Sequence, residues 1–208
     1  VFPGQGAQTI GMGRALAEAY PAAKAVFDEV DAALGEKLSA LIWEGDSSEL
    51  TLTRNAQPAL MATSIAALRA LEAEGLGMQH VTFVAGHSLG EYSALCAAGS
   101  LTLADTARLL RIRGQAMQEA VPVGVGAMAA LLGLDFEAAV AVAHEAAQGE
   151  VCQAANDNDP AQVVGQRLVD VVGGTRPGDH RLAEMADVED AHALPDRRVL
   201  LDHARGVL

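Results

Sequence analysis

The sequence predicts an α/β fold in which a mostly parallel sheet carries helices on both faces. Two observations favour this fold. Ala-rich segments with helical spacing alternate with short apolar runs, and half of the 208 residues are hydrophobic although only 3% are aromatic. Alternation of short strands with helices of this length is typical of parallel sheets. The length suits one medium domain or a domain with a small appendage.

In the first half of the chain, the apolar spacing predicts a series of helices after a glycine-rich loop at residues 2–8. The clearest of them starts at Pro21 and stops before Gly35, which are residues suited to the two ends of a helix. A polar turn is predicted at residues 45–48. The predicted helices are residues 11–19, 21–34, 38–43, 58–74 and 104–120.

After Pro122 the pattern changes to that of a small α+β subdomain. We expect a strand at 127–132 and a helix at 136–147 that is capped by Asp135. Two further strands, 151–154 and 162–164, are predicted on either side of a polar loop at 156–160. From Gly165 onward, neither helical nor strand spacing is visible.

Charge and composition exclude some functions. A net charge of −13 argues against a nucleic-acid binder, unless the fold gathers a local basic patch, because phosphate contacts need clustered Lys and Arg. Because the sequence has no signal peptide and no apolar run of transmembrane length, we expect a cytoplasmic protein. Cys96 and Cys152 lie in apolar segments and are interpreted as buried free thiols. Since the chain begins at Val1 without a methionine, and Val1 and Phe2 resemble the end of a strand, we interpret it as an N-terminal and middle fragment that lacks its first residues.

Residues 86–90, which read GHSLG, carry the strongest chemical signal in the chain. They follow the apolar run 81–85 and precede a helix-like stretch at 91–98, which is the sequence form of a nucleophile elbow. Gly86 and Gly90 lack the Cβ atoms that would collide in so tight a turn. The following helix would point its N–H groups at an oxyanion on Ser88. We therefore predict acyl chemistry through a serine ester, with a purely structural turn as the alternative.

Four segments together resemble one enzyme family, the acyltransferases that include malonyl-CoA:acyl carrier protein transacylase. They are residues 2–8 (FPGQGAQ), 57–60 (QPAL), 86–94 (GHSLGEYSA) and 111–120 (RIRGQAMQEA). The resemblance implies an α/β-hydrolase-like core with a parallel sheet, partly present at residues 1–122. It also implies part of a ferredoxin-like subdomain at residues 123–164.

The resemblance also implies roles for single residues. Ser88 would be the nucleophile, and the backbone N–H groups of Gln5 and Leu89 would form the oxyanion hole. Arg113 would pair with the free carboxylate of a malonyl group. Because arginines near helix ends usually make solvated ion pairs, such a pair is the alternative for Arg113.

Gln57 and Asn156 are the other predicted substrate-binding residues. For Asn156 a simple turn role is an equal alternative. His87, next to Ser88, is predicted to be structural, because neighbouring side chains diverge in such a turn. We expect no metal and no cofactor: malonyl-CoA is the substrate, and the phosphopantetheine belongs to the partner, acyl carrier protein.

The sequence departs from the family pattern at the general base and at the tail. The family uses a histidine in a Pro-Phe-His-like context, which none of His144, His180, His192 and His203 has. Family members continue after Val164 with a pattern like Val-Ser-Gly, whereas this chain reads Gly-Gln-Arg. The codons GGT-CAG-CGG, read one base later, begin GTC-AGC-GG and encode Val-Ser-Gly. We therefore interpret residues 165–208 as a tail outside the family pattern and hypothesise an out-of-frame origin.

The predicted function is transfer of a malonyl group from malonyl-CoA to acyl carrier protein in fatty-acid biosynthesis, through a malonyl ester on Ser88. One alternative is a serine esterase of related fold, which needs the GHSLG turn but has no use for Arg113 or the Gln5 loop. Another is an inactive truncated fragment that lacks the general-base histidine.

Overall fold

The computed structural model describes residues 1–121, 125–159 and 162–168. They fall into two compact units, which divide between Ala120 and Val121. The described part of the first unit is almost entirely helical, and that of the second is a small antiparallel sheet with one helix. The predicted boundaries at residues 122 and 164 stay predictions.

The first unit contains seven α-helices and one 3₁₀ turn in its described residues. The helices are α1 (Arg14–Ala19), α2 (Pro21–Leu34), α3 (Leu38–Glu44), α4 (Ser47–Thr51), α5 (Thr53–Ala73), α6 (Leu89–Ala97) and α7 (Leu103–Ala120), and the 3₁₀ turn is Met78–His80.

The core of the first unit forms where α2 and α7 pack against α5. Pro21 occupies the first turn of α2, and Gly35 ends this helix in the left-handed conformation at φ 68°, as the sequence predicts. The apolar residues at helical spacing are buried on the sides of α2, α5 and α7 that face one another, as expected of amphipathic helices. The largest buried apolar side chains here include Phe27, Val30, Met61, Ile65 and Leu110.

Helix α5 begins five residues before its predicted start at Pro58 and carries this proline in its interior. A proline there has no N–H to donate to the carbonyl four residues earlier, that of Arg54. The guanidinium of Arg111 in α7 donates to the Arg54 carbonyl instead, at 2.7 Å. A tertiary contact thus supplies the hydrogen bond that the helix cannot make for itself.

The predicted strand at 81–85 and the mostly parallel sheet are not formed in the described residues of the first unit. Phe2 and Gly86 make an isolated parallel bridge, and the Phe2 N–H donates to the Ala85 carbonyl at 2.8 Å. Phe83 is 88% exposed. A strand is stabilised by a ladder of hydrogen bonds with its neighbours, and within the described residues this run has one bridge in place of a ladder.

The predicted polar turn at 45–48 is instead the start of α4. The Asp46 side chain caps this helix by accepting a hydrogen bond from the Ser48 N–H at 2.7 Å. The pKa of the Asp46 carboxyl is lowered most by a hydrogen bond from the Ser48 hydroxyl, and further by the backbone N–H groups of Ser48 and Glu49.

The second unit contains β1 (Gly126–Leu132), α8 (Phe136–Ala147), β2 (Val151–Asp159) and β3 (Gln162–Leu168). The strand order is β1-β3-β2, and both pairs are antiparallel. Asp135 caps α8 as predicted, accepting from the Ala138 N–H at 2.8 Å. The predicted loop at 156–160 is largely strand, because β2 stays paired with β3 through two register shifts and reaches Asp159.

Two further predictions concern burial and membranes. Cys96 is a buried free thiol, whereas Cys152 is half-buried. Burial raises the pKa of the Cys96 thiol. Within the part of the chain that the structure describes, no helix is long and apolar enough to cross a membrane.

Candidate active site

Ser88 lies at a sharp turn immediately before α6, with its backbone at φ 53° and ψ −113°. A residue with a side chain rarely adopts this conformation, and holding it costs about 1–3 kcal/mol. Two backbone hydrogen bonds fix the turn. The Gly90 N–H donates to the His87 carbonyl oxygen at 2.8 Å, and the Glu91 N–H donates to the Ser88 carbonyl oxygen at 3.1 Å. The strained turn leaves Ser88 exposed at the N-terminus of a helix, as expected of a nucleophile elbow.

The two glycines of the turn are required by backbone contacts. A Cβ on Gly86 would lie 1.9 Å from the carbonyl carbon and oxygen of Gly90. A Cβ on Gly90 would lie 2.4 Å from the carbonyl oxygen of Phe2. The predicted need for glycine at both positions is confirmed, and the second contact brings the N-terminal loop against the elbow.

This N-terminal loop carries Gln5. Its neighbour Gly4 packs so closely on His87 that an added Cβ would lie 2.5 Å from the imidazole Nδ1. The Gln5 side chain donates to the Thr53 hydroxyl at 3.3 Å. Among the described residues, neither the Gln5 nor the Leu89 backbone N–H donates a hydrogen bond. The oxyanion hole that the sequence predicts from these two N–H groups stays a prediction.

Arg113 in α7 reaches the Ser88 side chain. Its guanidinium donates to the Ser88 hydroxyl oxygen at 3.0 Å and to the amide oxygen of Gln57 at 2.7 Å. The guanidinium carbon also lies 5.8 Å from the centre of the Tyr92 ring. Gln57 is fully buried, and its amide nitrogen donates to the Met117 sulfur at 3.3 Å. Among the described residues, no carboxylate pairs with Arg113.

The neighbouring arginines of α7 are used differently. Arg108 forms an ion pair with Asp105 at 3.1 Å. Arg111 pairs with Glu36 and donates to the side-chain oxygen of Asn55. Burial lowers the pKa of the Arg111 guanidinium. The alternative for Arg113 is an ordinary ion pair. Among the described residues, Arg108 and Arg111 form such pairs and Arg113 does not.

The predicted site residues are thus partly brought together. Ser88, Gln57 and Arg113 are linked by hydrogen bonds, and the Gln5 loop packs on the same turn. Asn156 belongs to the second unit, where its backbone pairs with Val164 in β3.

Of the candidate base histidines, His144 is exposed on α8 of the second unit, and the other three lie outside the described residues. Among the described residues, no group of His, Cys, Asp and Glu side chains is arranged to hold a metal ion.

Four residues that contact Gln5, Gln57 or Arg113, or each other, have no role predicted from the sequence: Thr53, Tyr92, Met117 and Gln118. Helical spacing holds a signal for three of them. Met117 follows Arg113 by four residues, Gln118 follows Gly114 by four, and Thr53 precedes Gln57 by four, so each pair shares a helix face. Tyr92 follows Ser88 by four residues on α6, but spacing alone does not predict its contact with Arg113.

Comparisons with known proteins agree with this geometry. The family model described as acyl transferase domain matches residues 1–172. A malonyl CoA-acyl carrier protein transacylase of Bacillus subtilis (strain 168) is 50% identical over 197 residues, which are 94% of this chain and 59% of the relative.

Two solved structures are also similar. An acyl-carrier-protein-S-malonyltransferase from Bartonella henselae has 53% identity and a TM-score of 0.78, covering 96% of this chain and 60% of that one. A type II PKS acyl-carrier protein in complex with its malonyl-transacylase matches with 39% identity and a TM-score of 0.78, again over 96% and 60%.

The chain spans about three-fifths of the length of these relatives. The interpretation of residues 165–208 as an out-of-frame tail stays a prediction, since only residues 165–168 of it are described. The fold is the α/β acyltransferase fold of the two solved structures. The family that the sequence predicts is confirmed: the chain belongs to the acyl transferase domain family.

Proposed function

We propose that this chain carries the acyl-transfer site of a malonyl transferase, which moves a malonyl group from malonyl-CoA to acyl carrier protein through an ester on Ser88. One observation carries the proposal. The Arg113 guanidinium lies 3.0 Å from the Ser88 hydroxyl oxygen, and no carboxylate in the described chain neutralises it. A cationic fork beside a nucleophile suits an acyl group that itself ends in a carboxylate.

In the first half-reaction the Ser88 oxygen attacks the thioester carbonyl carbon of malonyl-CoA, and a base takes the hydroxyl proton. The backbone N–H groups of Gln5 and Leu89 then donate to the oxyanion of the tetrahedral intermediate. When this intermediate collapses, the carbon–sulfur bond breaks, and coenzyme A leaves with its thiol reprotonated. Each oxyanion donor of this kind typically contributes about 3–4 kcal/mol to the barrier reduction.

Arg113 would select the acyl group. The malonyl carboxylate accepts hydrogen bonds from two guanidinium N–H groups, including the one that points to the Ser88 hydroxyl, and this exchange also frees the hydroxyl to attack. Gln57 keeps the guanidinium in place from its buried position, and the Tyr92 ring adds a cation–π contact. An acetyl group has no carboxylate to make this contact.

In the second half-reaction the phosphopantetheine thiol of the carrier protein loses its proton and its sulfur attacks the ester carbonyl carbon. The carbon–oxygen bond to Ser88 then breaks, the Ser88 oxygen takes up a proton, and the malonyl group leaves as a thioester on the carrier. The solved complex of a malonyl-transacylase with its acyl-carrier protein supports this choice of partner. Asn156 is proposed as a further substrate-binding residue. The same proposal includes the finer fold, which is an α/β-hydrolase-like core with a ferredoxin-like subdomain. It also includes a cytoplasmic location.

The direct test is acylation of this chain by isotopically labelled malonyl-CoA, followed by peptide mass spectrometry. We expect the label on the peptide that contains Ser88, no label in Ser88→Ala, and loss of the label when holo acyl carrier protein is added. Release of the label as free malonate, with none on the carrier, would favour the esterase alternative. A chain that takes up no label would be the inactive fragment and would contradict the proposal.

A further inference from the structure

The start of α5 lies between the N-terminal loop and α7. Thr53, its first residue, is fully buried and contacts both sides. Its hydroxyl accepts a hydrogen bond from the Gln5 side chain at 3.3 Å. Its backbone N–H, one of the donors that a helix start leaves unpaired, donates to the Gln118 side-chain oxygen at 3.2 Å.

The Thr53 carbonyl faces α7 as well. An added Cβ on Gly114 would lie 2.6 Å from this oxygen and 2.7 Å from the Arg54 Cα, so α7 approaches closely only because residue 114 is glycine. Gly114 follows Arg113 directly in the chain. The same short stretch of α7 therefore supports Thr53 and carries the guanidinium that reaches Ser88.

We infer that Thr53 is a positioning residue for the oxyanion-binding loop. It acts through Gln5, since the Gln5 side chain is anchored on the Thr53 hydroxyl while the Gln5 backbone N–H stays available to the substrate. Gln118 holds Thr53 in turn. This inference rests on the proposed function, because it concerns the same oxyanion hole.

The inference predicts a defect distinct from loss of acyl selectivity. Thr53→Val keeps the side-chain shape but removes the oxygen that anchors Gln5. Because small displacements of a catalytic group cost up to about 100-fold, we expect Ser88 acylation to slow about tenfold. The slowing should affect malonyl-CoA and acetyl-CoA equally and appear in kcat, with KM nearly unchanged.

Matched variants separate positioning from stability. Thr53→Ser retains the hydroxyl and should restore most of the rate. Thr106→Val removes another fully buried hydroxyl, which donates to the backbone carbonyl of Thr102 just before α7, and should leave the rate unchanged. Gln5→Leu should slow acylation as Thr53→Val does, and the double variant should be no slower than either single one.

The closing experiment measures the rate of Ser88 modification by a fluorophosphonate, alongside malonyl-CoA acylation and thermal unfolding. The Ser88 oxygen displaces fluoride from phosphorus, and the phosphoryl oxygen occupies the oxyanion hole without any malonyl group. Slower phosphonylation in Thr53→Val, restored in Thr53→Ser, would support the inference even if malonyl-CoA proved not to be the substrate.

Three results would overturn it: a Thr53→Val rate within about twofold of the wild type, losses that multiply in the double variant, or a wild-type Ser88 that the fluorophosphonate does not modify. A lowered unfolding temperature with an unchanged rate would assign Thr53 a structural role only.

Discussion

Two arginines of α7, two residues apart, show how one helix serves both stability and chemistry. The Arg111 guanidinium forms an ion pair with Glu36 and donates hydrogen bonds to the Asn55 side chain and the Arg54 carbonyl. That carbonyl has no donor from Pro58, because proline has no N–H. Arg113 points to Ser88 and pairs with no carboxylate among the described residues. The role of an arginine therefore cannot be predicted from its residue type alone. It depends on whether the guanidinium is already paired within the protein or is left without a carboxylate partner.

The largest expected effect comes from Gly114→Ala, which disturbs the packing of α7 on α5 near both Arg111 and Arg113. The added Cβ would meet backbone atoms of α5, which cannot move aside as a flexible side chain could. We expect a loss of about 3 kcal/mol in the free energy of unfolding. Urea denaturation measures it, and Gln115→Ala, at an exposed neighbouring position of α7, is the control. An unchanged denaturation midpoint would show that α7 does not need this close approach.

Arg113→Ala should affect chemistry far more than stability. Loss of the carboxylate partner should lower kcat/KM for malonyl-CoA about 100-fold, which corresponds to about 2.7 kcal/mol, while acetyl-CoA should be much less affected. Steady-state transfer to a carrier thiol measures both values. Equal losses for the two acyl donors would mean that Arg113 supports Ser88 itself and not the malonyl carboxylate.

Arg111→Ala should have the opposite profile. It leaves the Arg54 carbonyl and the Asn55 side-chain oxygen without this donor, so we expect the free energy of unfolding to fall by about 2 kcal/mol. The ratio of malonyl to acetyl transfer by the folded protein should stay at the wild-type value. A changed ratio would break the distinction between the two arginines.

The smallest expected effect concerns the ring beneath Arg113. Tyr92→Leu removes the cation–π contact, which is worth about 0.5–1 kcal/mol at a partly exposed site, so malonyl preference should fall about threefold. Tyr92→Phe keeps the ring and should behave like the wild type. If Phe lowered the preference as much as Leu does, the hydroxyl and not the ring would be responsible.

The sequence predicts well wherever local chemistry decides the structure. Pro21 and Gly35 mark the two ends of α2, Asp135 caps α8, and the GHSLG pattern anticipates the turn at Ser88. Each of these signals acts within a few residues. They need no knowledge of what packs against the segment.

Signals that depend on distant partners are missed. The apolar spacing of 81–85 predicts a strand, but strand formation depends on neighbours, and among the described residues Gly86 makes only the bridge to Phe2. Pro58 predicts a helix start, although Arg111, far along the chain, allows the helix to begin earlier. The contacts of Thr53 with Gln5 and Gln118 likewise join three separate segments. Helical spacing places Thr53 and Gln118 each on a helix face, but it does not predict that these residues meet.

The contrast between the two arginines can be tested in one competition experiment. The wild type, Arg111→Ala and Arg113→Ala are each given equal concentrations of malonyl-CoA and acetyl-CoA, and the two Ser88 esters are quantified early in the reaction by mass spectrometry. We predict a malonyl excess in the wild type and in Arg111→Ala, and its loss in Arg113→Ala. A malonyl excess that persists in Arg113→Ala would contradict the assignment of Arg113 to the malonyl carboxylate.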